Sequence, residues 1–333
     1  MVKLYKYLLE SAWMNIVFIG CTTFGMKCLE KCLLLESVNI TGIITNERKF
    51  KISYSEDRVK NFLYKDFSKI AEKNNLNFIT MKNGMKEKEL FKKVKKWNPD
   101  MFLVVGWYHI IPKEWLEYAP AYGLHASLLP EYSGGAPLVW AMINGEKKTG
   151  ISLFKMANGV DDGPILDQKE EIIKDDDTIK TLYERIEKKG INLLLENLPK
   201  LAKNKIIFVE QNCNNRKVMP QRSPEDGLID WNKNAIFVDR FIRAQTRPYP
   251  GAFTFFEGKK IHIWAAKNMT NKKLSQNLKI GMICKDIKGN FFVKCGDSLL
   301  KLFEISYKNE IYKGDQIAKI ITDKMIFSNE YKN

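Results

Sequence analysis

The apolar positions of this chain change period several times, and each change marks an element. Residues 15–20, NIVFIG, are a short run rich in strand-forming side chains that ends on glycine. In the segment CTTFGMKCLEKCLLLE that follows, Phe24, Cys28, Cys32 and Leu35 fall at helical spacing, and residues 38–45 return to a strand pattern. Strand, helix and strand open a βαβ unit, which predicts a parallel sheet. Residues 67–73 read as a helix, 77–80 as a strand, and 86–97 as a basic amphipathic helix with its apolar stripe at Leu90, Phe91 and Val94. Residues 101–105, MFLVV, have the near-continuous apolar character of a central parallel strand. A short apolar helix is expected in APLVWAMINGE and a strand in ISLFKM. A long amphipathic helix over 178–198 carries Leu182, Ile186, Leu193, Leu194 and Leu198 and is expected to stop at Pro199.

The pattern is different on either side of a polar stretch at 203–218, which reads as a linker. Beyond it come the helical NAIFVDRFIRAQ, the run TRPYPGAFTFF, a hairpin turn at Glu257-Gly258 and the alternating KIHIWAA. Further short strands are divided by Gly289-Asn290 and Gly296-Asp297, which suggests a small β-barrel, and a basic, helical tail follows. The predicted organisation is an α/β catalytic domain over 1–202, the linker, and a smaller β domain over 219–333. Residues 46–66 are polar and mixed in sign, and fit no element; polar insertions beside the carboxyl ends of strands are often lids or substrate loops.

Composition narrows the classes. At 45% hydrophobic and 12% aromatic residues the chain can build cores and is no disordered segment. No apolar run approaches the roughly 20 residues that cross a bilayer, and MVKLYKYLLESAW, interrupted by Glu10 and Ser11, is a poor signal peptide. It reads as a short helix or an extension, with Met14 a plausible first residue. Six scattered cysteines show neither zinc-ligand pairs nor a disulfide framework, so reduced thiols in the cytoplasm and no bound metal are expected; Cys28 and Cys32, one helical turn apart, suit packing. The net charge of +15 favours anionic partners, and a homodimer is possible.

The chemistry concentrates in 123–166, GLHASLLPEYSGGAPLVWAMINGEKKTGISLFKMANGVDDGPIL. His125 and Asp161, separated by a Gly-Gly-Ala-Pro loop and an apolar helix, could meet at one end of a sheet and move a proton near neutral pH. A packed histidine and an ordinary Asp-Gly turn would give the same letters. Gly20 and Gly25 are too weak a pair for a phosphate loop and suit a tight strand-to-helix turn.

His125, Ser127, Leu128, Leu129 and Pro130, then Gly134, Ala136 and Pro137, then Thr149 and Gly150, then Asp161 and Gly163 resemble the signature of the folate-dependent formyltransferases. That family includes methionyl-tRNA formyltransferase and the N-formyltransferases of amino-sugar nucleotides. The similarity runs from about residue 14 to about residue 305. It implies a Rossmann-like catalytic domain followed by an open, OB-like β-barrel, and 10-formyltetrahydrofolate as formyl donor. An amine would attack the formyl carbon through a tetrahedral oxyanion, with His125 handling the proton and Asp161 orienting its ring. By the same resemblance the pterin is received near Trp107, His109, Ile110 and Ile111, and the donor also touches Ser127, Leu128, Leu129, Pro130 and the run Ala157, Asn158, Gly159, Val160 and Asp161.

Three departures matter. Gly123 stands where the family has an asparagine that donates to the oxyanion, so the donor would have to be the backbone at Gly123, Ser127, Asn144 or nothing. The segment APAYGLH is about two residues shorter than usual, and the arginine common after Leu-Leu-Pro is missing. For the acceptor, APLVWAMINGE and QRSPEDGLIDW look more like the amino-sugar nucleotide enzymes, with Arg222, Asp226, Arg243 and Arg247 as candidate substrate contacts. Each of these arginines fits a plain ion pair equally well. The alternative acceptor is initiator methionyl-tRNA, which would use the basic balance and Arg48, Lys49, Lys51 and Arg58 of the 46–66 segment. A third reading, prompted by Gly123, is a relative that binds folate or a nucleotide sugar without transferring formyl.

Overall fold

A computed structural model of the chain describes residues 13–52, 55–212, 214, 216–269 and 277–328; the amino-terminal extension and Cys213 lie outside them. The chain divides into two compact units. The first holds the described residues of 1–134, 149–171 and 185–218, and the second those of 135–148, 172–184 and 219–333.

In the first unit the elements are β1 (Met14–Ile19), α1 (Thr23–Cys32), β2 (Val38–Asn46), β3 (Lys49–Ile52), β4 (Ser55–Lys60), α2 (Ser68–Lys73), β5 (Asn77–Met81), α3 (Lys88–Lys95), β6 (Met101–Val104), α4 (Lys113–Tyr118), β7 (Ala121–His125) and β8 (Ser133–Gly134). After α5 (Pro137–Asn144) come β9 (Lys148–Lys155), β10 (Ile165–Ile172) and α6 (Ile179–Ala202). Seven strands form one sheet in the order β10-β9-β7-β6-β1-β2-β5. The pairs β1–β2, β1–β6, β2–β5 and β6–β7 are parallel, as the apolar runs predict, whereas β9 pairs antiparallel to β7, so the sheet is mixed toward that edge. The strand order reverses across β1 and β6, and the crevice outside the carboxyl ends of such strands is where open α/β sheets hold ligands. The turns that leave β1 and β6 approach closely here. Gly106 has φ +64°, and a Cβ there would overlap Thr22, whose hydroxyl caps α1 by accepting the Gly25 N–H at 3.1 Å. The glycines therefore serve close packing, the second of the two sequence readings.

Two expectations need correction in this unit. Residues 46–66 are not a structureless loop: β3 and β4 form an antiparallel hairpin with Phe50 and Ile52 buried and Arg48, Lys49, Lys51 and Arg58 exposed. Pro199 does not stop α6, which runs on to Ala202; the proline forfeits one N–H bond to the preceding turn, and the helix ends three residues later.

The second unit is built on β11 (Val218–Met219) and α7 (Ala235–Gln245), which packs against α5, together with β12 (Ala252–Phe256), β13 (Lys259–Met269), β14 (Ile283–Lys285), β15 (Phe291–Lys294), β16 (Leu299–Tyr307) and β17 (Glu310–Lys313). The last six strands make one antiparallel sheet, ordered β12-β13-β16-β15-β14 with β17 beside β16, around a core that includes Trp231, Ile242, Ile263 and Leu300. Glu257 and Gly258, at φ +47° and +71°, make the predicted hairpin turn. The tail departs from expectation. After a 3-10 turn at Gly314–Lys319 it runs extended, its backbone bonding Ile283 at one end of the sheet and Phe255 at the other. Edge strands leave unpaired amides and carbonyls, and this segment satisfies them, closing the half-barrel. No helix among the described residues is long and apolar enough to cross a membrane.

Phe327 of the tail is 3% exposed and stacks on Trp231 at 5.7 Å. Phe327→Ala should lower the stability of the second unit by about 3–5 kcal/mol in urea denaturation; a change under about 0.5 kcal/mol would mean that the tail is a solvated appendage after all.

Candidate active site

His125 ends β7, a strand paired on both sides, and its ring is buried. Its Nε2 lies 2.8 Å from the backbone carbonyl of Tyr132. A carbonyl can only accept, so the ring hydrogen sits on Nε2 and Nδ1 carries the basic lone pair of the neutral imidazole. Nδ1 faces Oδ2 of Asp161 at 3.4 Å. The carboxylate is held in its turn: Asp161 has φ +51°, and its Oδ2 accepts the Gly134 N–H at 2.8 Å. A proton arriving at Nδ1 would therefore meet a fixed negative charge.

The turn between His125 and Tyr132 is framed by side chains. The buried Ser152 hydroxyl donates to Ser127 C=O at 2.6 Å and accepts from the Leu129 N–H at 3.1 Å and from Gln168 Nε2 at 2.7 Å. Gln168 also donates to Leu129 C=O, Ser127 Oγ donates to Glu131 C=O at 2.7 Å, and Ser133 Oγ donates to Pro130 C=O at 2.9 Å. Neither Ser152 nor Gln168 stands out in the sequence, because each acts on backbone rather than on a ligand. Leu128 packs beside Gly150, and Leu129 is buried with Phe154 and Ile165.

The candidate pterin loop follows β6. Trp107 is partly buried, and its indole N–H has no hydrogen-bond partner among the described residues. His109 is half-buried against Phe50 and Trp107; its Nε2 accepts from the Asn46 amide at 2.8 Å, and burial lowers its pKa, so the ring is neutral. Ile110 is 71% exposed, while Ile111 belongs to the core under the sheet. On the other side Ala157, Asn158, Gly159 and Val160 form an exposed loop that leads into Asp161. An orphaned indole donor and an exposed loop backbone suit a flat, polar-edged heteroaromatic ligand. Burial pushes the thiols of Cys21 and Cys32 up to about 12, which keeps these two protonated and poorly nucleophilic.

Gly123 lies within β7, in register with Val104 on one side and Phe154 on the other, so its amide belongs to the sheet. A Cβ at this position would come within 2.6 Å of Met156 Cε, the far end of a flexible side chain. The Ser127 hydroxyl is already donated to Glu131, and Asn144 ends α5 in the second unit. Two of the three stand-ins for the missing asparagine, the Gly123 amide and the Ser127 hydroxyl, are thus already committed.

The four candidate acceptor contacts all lie in the second unit, each with a partner there. Arg222 lies over Trp140 at 4.6 Å and donates to Gln245 Oε1 at 2.6 Å and Asp226 C=O at 2.7 Å; burial lowers its pKa. The Asp226 side chain caps its own turn by accepting the Ser223 N–H. Arg243 bonds Asp239 at 2.6 Å and the Asp177 carbonyl, and Arg247 pairs with Glu304 over the Trp264 ring. The plain ion-pair reading fits Arg243 and Arg247, whereas Arg222 donates to neutral oxygens.

A family model described as formyl transferase matches residues 14–198, and a second, formyl transferase C-terminal domain, matches 222–320. The chain is 33% identical over 300 residues to a methionyl-tRNA formyltransferase of Caldanaerobacter subterraneus subsp. tengcongensis, covering 88% of this chain and 92% of that protein. Among solved structures, WlaRD, a sugar 3N-formyl transferase crystallised with dTDP and 5-N-formyl-THF, superimposes with a TM-score of 0.62 at 18% identity over 89% of this chain and 98% of that one. HypX from Aquifex aeolicus gives 0.60 at 14% identity over 94% of this chain, which spans 50% of that longer protein. At those identities the two structures speak for the fold.

Ser152→Ala would leave the Leu129 amide and the Ser127 carbonyl without their buried partner. It should cost about 1–3 kcal/mol by urea denaturation, and Asn158→Ala, in the exposed loop, less than about 0.5. Equal stability of the two variants would remove Ser152 from the frame.

Proposed function

The chain belongs to the formyltransferase family, and from that premise we propose that it transfers formyl from 10-formyltetrahydrofolate to the amino group of methionyl-tRNA. The observation that carries the acceptor is the 33% identity to a methionyl-tRNA formyltransferase along nearly the whole of both chains. The exposed basic residues of the β3–β4 hairpin, Arg48, Lys49, Lys51 and Arg58, and the net charge of +15 are suited to a polyanion. The amino-sugar nucleotide, favoured by the sequence alone, is the second reading, and its candidate contacts Arg222, Asp226, Arg243 and Arg247 each have a partner of their own.

In this reading Trp107 and the loops after β6 and β9 bind the donor. The acceptor amine adds to the formyl carbon, its proton passes to His125 Nδ1, and the bond from the carbon to the folate nitrogen breaks as that nitrogen is protonated. Asp161 stabilises the imidazolium, and the carbonyl of Tyr132 holds the ring in the productive tautomer. Gly123 leaves the oxyanion without the family's side-chain donor, which predicts a slow enzyme.

Formyl transfer should be measured with charged initiator tRNA and, in parallel, with dTDP-linked amino sugars. Methionyl-tRNA should turn over, and His125→Ala should reduce the rate about 10²–10⁴-fold. Turnover of a sugar alone would overturn the acceptor. Gly123→Asn, with Met156 swinging aside, should raise kcat about a hundredfold. Silence of both wild type and Gly123→Asn, with folate still bound, would make the chain a binding protein.

A further inference from the structure

The segment between the two units reads in the sequence as a polar linker, yet its side chains reach the loops that hold His125. Gln211 Nε2 donates to Asp161 C=O at 2.9 Å and to Gly163 C=O at 2.7 Å. The Arg216 guanidinium donates to Val160 C=O and lies 3.7 Å from the Asp162 carboxylate. The Lys217 ammonium sits over the ring of Tyr132, whose carbonyl fixes the His125 tautomer, at 5.4 Å. All these groups belong to the first unit.

The loop needs such support. Residues 157–160 are exposed, and Asp161 keeps a left-handed backbone, which non-glycine residues adopt less readily than glycine. On one flank β9 holds the turn through Lys155 N–H to Pro164 C=O at 2.9 Å, and a Cβ on Gly163 would overlap Lys155 C=O. On the other flank the carbonyls of residues 160, 161 and 163 have Gln211 and Arg216 as donors. Rotation about Asp161 would swing its carboxylate away from Nδ1.

We propose that Gln211 and Arg216 form a latch, acting as positioning residues for Asp161, and through it for His125. The proposal rests on the formyl-transfer reading for its kinetic consequence and on geometry alone for its structural one. Both residues hold the loop after β9 rather than the reacting atoms, so they act on the rate of transfer through the place they give Asp161.

Only three histidines, His109, His125 and His262, occur in the chain, so the imidazole signals can be resolved by NMR, with His125→Ala supplying the assignment and Asp161→Ala the size of the full effect. In Gln211→Ala and Arg216→Ala the His125 ring signals should move toward their positions in Asp161→Ala, while those of His109 and His262 stay. kcat should fall about tenfold to a hundredfold, and Arg216→Lys, which keeps a cation, should recover part of it. Unmoved His125 signals would overturn the latch, as would a fall in kcat that tracks a loss of thermal stability. If wild type formylates no acceptor, the NMR comparison still decides the latch, so the two failures are separable.

Discussion

A hydrogen bond from an imidazole N–H to a backbone carbonyl sets the logic of this protein. Because Tyr132 C=O can only accept, it holds the ring hydrogen of His125 on Nε2 and turns the lone pair of Nδ1 toward Asp161. The geometry depends on two turns keeping their backbone where it is, and much of the polar side-chain chemistry nearby is devoted to that. Ser152, Gln168, Ser127 and Ser133 bind carbonyls and amides of the turn that ends at Tyr132. The Gly134 amide fixes the Asp161 carboxylate.

The loop after β9 has to travel to reach the histidine. β7 delivers His125 at its carboxyl end, whereas β9, antiparallel on the other side of β7, ends level with Tyr122 at the start of that strand. The loop that leaves β9 therefore returns along β7 to bring the Asp161 carboxylate within 3.4 Å of His125 Nδ1. Its length and its backbone supports, rather than the strand ends alone, set the pair.

The apolar runs of β1, β2 and β6 and the stripes of α1 and α3 were legible in the sequence because burial on one or both faces leaves a periodic trace. The β3–β4 hairpin was hidden because its outward residues are lysines and arginines and only Phe50 and Ile52 report its inner face. The tail misled because Ile317 and Ile321, both buried, are spaced as on a helix although the backbone there is a 3-10 turn followed by extended chain. His125 and Asp161 were found by motif. Gln168, Gln211 and Arg216 were not, since a residue that binds backbone carbonyls carries no signature of its own in a single sequence. The arginines of the second unit illustrate the converse: residue type announces a cation, and only the fold reveals that its partner is already present.

The closure of the half-barrel by residues 324–328 has a consequence for biosynthesis. The strands it joins, β12 and β14, are both synthesised earlier, so during translation the sheet waits with two open edges until residues 324–328 emerge. In that interval the nascent chain exposes the surfaces most prone to pairing with other strands. Chaperone demand should be concentrated there, and a chain cut short before residue 324 would keep both edges open.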